Sequence, residues 1–96
     1  MTKELDYGAI GGRIRALRRA RGMTQEQLAE AAGISPSFLG HIERGTRILS
    51  LESLYGLSIA LEAEMDTLAT GREAAATLSN RAVIRQYLVE RLAELA

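Results

Sequence analysis

The chain has 96 residues, 47% of them hydrophobic, enough for one small domain with a short extension. Twelve Lys and Arg balance twelve Asp and Glu, which excludes a uniformly basic protein, and the absence of cysteine excludes disulfides, thiolate metal sites and a cysteine nucleophile. The neutrality hides an asymmetry: residues 1–49 hold eight basic and five acidic side chains, residues 50–96 four and seven, so an anionic partner is expected for the first half only.

The pattern is helical nearly throughout, with no alternating β-branched runs and no hairpin signals, and predicts an all-α fold. Ile10, Ile14 and Leu17 fall on one face of a first helix that ends near Gly22, a residue that accepts positive φ. Thr24 opens T-Q-E-Q, a capping box in which the Thr hydroxyl takes the Gln27 amide and Gln27 reaches back. The second helix carries Leu28, Ala29 and Ala32 and stops at Gly33. Ser35 caps a short third helix with Pro36 at its first position, where a missing N–H costs nothing. Leu39 and Ile42 point inward there, with Phe38 at the core edge, and Gly45 ends the helix. Ser50 caps a fourth helix, with Leu51, Leu54, Leu57, Ile59 and Leu61 expected mostly in the core. A fifth element covers about Met65 to Leu68. Thr70-Gly-Arg-Glu73 is a second capping-box pattern opening a last helix, on which Ile84, Tyr87, Leu88, Leu92 and Leu95 share a face.

Two short helices joined through Ala32-Gly33-Ile34, the second one capped and started by proline, form a helix-turn-helix arrangement. The stretch Ile14-Arg15-Ala16-Leu17-Arg18, then T-Q-E-Q-L-A-E-A-A-G-I-S, then Ile42-Glu43-Arg44-Gly45, resembles the Cro/CI-type (XRE) helix-turn-helix family of DNA-binding regulators. The resemblance covers residues 8–69. It implies a five-helix, lambda-repressor-like DNA-binding domain, to which residues 70–96 add a C-terminal helix.

In such a module the second helix of the pair enters the major groove, and double-stranded DNA is the expected partner. With Leu39 and Ile42 turned inward, Pro36, Ser37, Gly40 and His41 face outward as the base-contacting set. The resemblance assigns base reading to Pro36, Ser37 and His41 in particular. It also implies phosphate contacts by Gln25, Thr46 and Arg47. The capped helix starts add Thr24 and Ser35 to that group, and Arg44 lies at the outward edge. Pro36 and Gly40 have no side-chain hydrogen bonds to offer, so base reading leans on water, thymine methyls or DNA shape. Arg15, Arg19 and Arg21 fit a solvated face and a DNA-facing one equally well. Arg18 matches an arginine that pairs with a glutamate in this family, which implies a structural ion pair with Glu43.

The tail is too short for a ligand-binding domain. Its apolar face, Ile84, Tyr87, Leu88, Leu92 and Leu95, is expected to make a homodimer or to hold a protein partner, the other solution being burial against its own core. The expected function is a dimeric repressor, the alternative an antitoxin-like or adaptor protein that uses DNA binding for autoregulation. With one histidine, no clustered metal ligands and no phosphate-cradling glycine loop, neither an enzyme nor a cofactor is expected. No apolar run approaches the roughly 20 residues of a membrane span. The polar start Met-Thr-Lys-Glu is no signal peptide, so the expected location is the cytoplasm, without membrane contact.

Overall fold

The computed structural model describes residues 4–72 and 75–95, the stretch 75–84 as backbone alone. Six helices follow one another: α1 (Tyr7–Ala20), α2 (Gln25–Ala32), α3 (Pro36–Arg44), α4 (Leu51–Leu61), α5 (Met65–Thr70) and α6 (Ala75–Glu94). Among the described residues there is no strand, as the pattern predicts.

Local chemistry sets the boundaries. Asp6 caps α1 by accepting from the Ala9 amide, and the chain leaves α1 through Gly22 at φ 68°. Thr24 and Gln27 close the expected capping box in both directions, at 3.1 and 2.9 Å. Ser35 accepts from the Phe38 amide and Ser50 from that of Ser53. Gly33 and Gly45 end α2 and α3 in the left-handed region, where a side chain would cost about 1 kcal/mol or more.

The core draws on all of α1 to α5: Ile10 and Ile14, Leu28 and Ala29, Leu39 and Ile42, Leu57 and Leu61, and Leu68 are buried. Tyr7, Leu17, Phe38 and Leu54 pack around them half-buried. Burying a side chain of that size stabilises by about 1.5–3 kcal/mol, so these five helices hold one another through a core of their own. Residues 85–94 of α6, and Leu95 after it, are all exposed. That part of the last helix therefore does not fold back on the core.

Two expectations need correction. Leu51 and Ile59 are 74% and 61% exposed. Together with Tyr55 they recur every fourth residue on the side of α4 opposite Leu57 and Leu61, so α4 is apolar on two faces and buries one. Thr70 is the last residue of α5, not a cap for α6. Its hydroxyl donates to the Asp66 carbonyl and accepts from the Arg72 amide, while Glu73 lies outside the described residues.

α1 crosses α3 at close range. A Cβ built on Gly11 would overlap the Ile42 carbonyl oxygen and come within 2.8 Å of that of Glu43. One built on Gly45 would lie 2.6 Å from the Gly8 Cα. Hydrogen here is the only substituent that fits. Arg13 ties the other end of the unit together, donating from Nη1 to the Leu68 carbonyl at the close of α5 (2.8 Å).

Candidate nucleic-acid interface

α3 has two dissimilar sides. Leu39, Ile42 and Glu43 are buried, whereas Pro36 and Ser37 are exposed and His41 is half-exposed, on the outer edge. This is the outward set expected from the sequence, with one exception. Gly40 is buried. The guanidinium of Arg44, one turn on, lies over it, with Nη1 3.1 Å from where a Cβ would be. Gly40 therefore offers no open surface for a base, and its missing side chain makes room for Arg44.

Beneath that edge Arg18 and Glu43 form the expected ion pair. Arg18 donates from Nε to Glu43 Oε2 at 2.7 Å and from Nη2 to Oε1 at 3.0 Å. The two side chains are 11% and 2% exposed. A third guanidinium bond runs to the Met23 carbonyl (2.9 Å), where α1 turns into α2. Burial by itself would raise the Glu43 carboxyl. Hydrogen bonds from Arg18 and Gln25, with the charges of Arg18 and Arg15, outweigh that and hold it below the usual carboxylate range. The hydrogen bond to Glu43 in turn raises the Arg18 guanidinium.

Around this pair α1, α2 and α3 form a cleft lined by Arg15, Arg18, Arg19, Gln25, Glu43 and Arg44. Its one carboxylate is neutralised by Arg18. Arg15, Arg19 and Arg44 have no ion-pair partner among the described residues. The rim of the cleft is therefore cationic, and a phosphate would find three guanidiniums there. The sequence left Arg15 and Arg19 undecided between a wet face and a binding one. The fold brings them to Arg44, on a different element. Arg21 turns elsewhere and pairs with Glu62 (3.1 Å).

The remaining residues expected on phosphates divide into two groups. Thr24, Ser35 and Arg47 are exposed, and the cap hydroxyls of Thr24 and Ser35 accept one amide each while keeping their own proton. Gln25 and Thr46 are engaged within the protein. Gln25 gives one amide N–H to Glu43 Oε1 (3.1 Å). Thr46 Oγ1 lies 3.0 Å from His41 Nδ1 and 3.2 Å from the His41 carbonyl oxygen. Of the expected interface on the last helix, Tyr87, Leu88, Leu92 and Leu95 are each more than half exposed. The side chain of Ile84 lies outside the described residues.

Two short helices set across one another by a left-handed glycine, the second showing its outer edge beside unpaired arginines, define a helix-turn-helix protein. Residues 14–68, more than half of the chain, match the helix-turn-helix family HTH_3, and the chain belongs to that family. It is 48% identical over 59 residues to the HTH-type transcriptional regulator YazB of Bacillus subtilis, covering 62% of this chain and 86% of that protein. The crystal structure of the clp gene regulator ClgR from Corynebacterium glutamicum is similar over 97% of this chain and 95% of its own (TM-score 0.65, 32% identity). The P22 c2 repressor, solved with a synthetic operator, is similar over 66% of this chain and 96% of its own (TM-score 0.64, 33% identity). The fold is the lambda-repressor-like five-helix unit with one helix added.

Proposed function

We propose that this chain is a sequence-specific DNA-binding transcriptional regulator, a repressor that lays α3 in the major groove and occludes a promoter. The observation that carries it is the juxtaposition on one surface of the open edge Pro36–Ser37–His41 and the cleft of Arg15, Arg19 and Arg44. The major groove is about 12 Å wide and admits one helix. With α3 inside it, Ser37 and His41 meet base edges and Pro36 a thymine methyl. The three arginines, Arg47 and the cap hydroxyls of Thr24 and Ser35 hold the flanking phosphates. A solved relative that is a repressor bound to an operator supports this reading. Residues 8–69 act as the DNA-binding domain and residues 70–96 as an extension. The protein works in the cytoplasm as a homodimer joined through Tyr87, Leu88, Leu92 and Leu95. Two-fold pairing places two recognition helices about 34 Å apart, one turn of DNA.

The exposed apolar face of α6 also favours a second reading, in which that face holds a different protein, as in an antitoxin or adaptor, and DNA binding serves autoregulation.

Selection of binding sites from random duplexes tests the proposal. A paired half-site is expected, and Ser37→Ala is expected to change which sequences are enriched at equal folded concentration. Recovery of no preferred sequence by the unaltered protein overturns it.

A further inference from the structure

Thr46 Oγ1 stands 3.0 Å from His41 Nδ1 and 3.2 Å from the His41 carbonyl oxygen. A carbonyl oxygen only accepts, so in the second contact the threonine is the donor. Its hydroxyl has one proton. With that proton on the carbonyl, Oγ1 meets Nδ1 only as an acceptor, and Nδ1 carries the imidazole hydrogen. The same carbonyl also accepts the Thr46 backbone N–H at 3.0 Å, and the Nδ1–H arrangement is the one that gives both side-chain contacts of Oγ1 a proton. Nε2, the other ring nitrogen, has no hydrogen-bond partner among the described residues.

We propose that Thr46 fixes neutral His41 as its Nδ1–H tautomer, and that the bare Nε2 is a hydrogen-bond acceptor selecting an amino group on a base edge, adenine N6 or cytosine N4. This deepens the DNA-reading function proposed above and rests on it. The opposite tautomer would present an Nε2–H and choose guanine O6 or N7 instead. A contact from the loop after α3 thus decides which bases a side chain on α3 accepts. It also gives direction to a reading edge that otherwise has few strong hydrogen-bonding groups. Pro36 has none and Ser37 both donates and accepts, so His41 is the member that rejects guanine and thymine on the strand it faces.

Two measurements on the full chain test this. Nitrogen-15 NMR of the imidazole at about pH 8, above the ordinary histidine range, is expected to show a protonated Nδ1 and a bare Nε2. Thr46→Val is expected to shift the population toward Nε2–H. A wild-type spectrum dominated by Nε2–H overturns the proposal without reference to DNA. Site selection with wild type, His41→Ala and Thr46→Val is the second measurement. One position per half-site is expected to hold adenine or cytosine, favoured about fivefold, as one net hydrogen bond allows. That preference is expected to vanish in His41→Ala and to admit guanine in Thr46→Val. Guanine or thymine at the position that responds to His41, or no position that responds, overturns the base contact. If the wild type selects no sequence, the regulator reading and the base contact fall together, and the spectrum still decides the tautomer.

Discussion

The Glu43 carboxylate accepts from three N–H groups, two of Arg18 and one of Gln25, and so joins three helices at one point. Removing the arginine would leave a buried charge without its partner, which costs about 3–5 kcal/mol. Arg18→Ala is therefore expected to lower the melting temperature by well over ten degrees, while affinity per folded molecule changes less. An unchanged melt would show the pair to be idle. The same bonds set a pH dependence. Glu43 is held below its ordinary range, so it binds protons less readily folded than unfolded. Its contribution is complete above the unfolded value of about 4.3 and disappears as pH falls through the lower folded value. Melts between pH 7 and 3 are expected to fall more steeply for the wild type than for Glu43→Gln. The free arginines belong to a different test. Each phosphate contact contributes about 0.9 to the slope of log affinity against log salt, so Arg15→Gln with Arg19→Gln is expected to reduce that slope by about two and to weaken all sequences alike. An unaltered slope would leave these arginines outside the interface. The ion pair was legible through the motifs around Arg18 and Glu43. The cleft was not, because helix periodicity gives the face of each element but not which faces meet. Arg44 illustrates the limit, since nothing in the local pattern says that it meets Arg15 and Arg19 of α1 across one cleft.

At the scale of the element, the tilt of α3 depends on its contact with α1. Gly11 permits that contact by having no side chain. In Gly11→Ala the new methyl would press on the Ile42 and Glu43 carbonyls, which belong to backbone and cannot rotate away. Overpacking of this kind costs about 1–3 kcal/mol. The variant is expected to melt earlier and also to bind more weakly at equal folded concentration, because α3 is displaced within the groove. Loss of stability with undiminished affinity would show that the crossing does not aim the helix. The starts of α2, α3 and α4 were readable because caps are local chemistry, Thr24 with Gln27, Ser35 with Pro36, and Ser50 each acting within four residues, whereas the same kind of pattern at Thr70 falls inside α5. Burial along α4 was not readable. Leu51, Leu57, Ile59 and Leu61 are alike in hydrophobicity, and only the packing of neighbours decides that two are covered and two are open.

For the whole molecule, the division of labour between the five-helix unit and α6 makes a direct prediction. Among the described residues the core closes within α1 to α5, so truncation after Gly71 is expected to leave a folded protein of similar stability. If α6 pairs two copies, the truncated chain is expected to sediment as a monomer and to bind a paired half-site far more weakly than the full chain. A truncated chain that still dimerises would remove that role from α6. The segregation within α3 has a consequence of another kind. Leu39, Ile42 and Glu43 hold the scaffold, whereas Pro36, Ser37 and His41 take no part in the core, and open positions of this sort tolerate exchange within about 0.5 kcal/mol. If these three residues read DNA as proposed, a lineage, or a designer, can rewrite the recognised address through them while the mechanical framework is inherited unchanged.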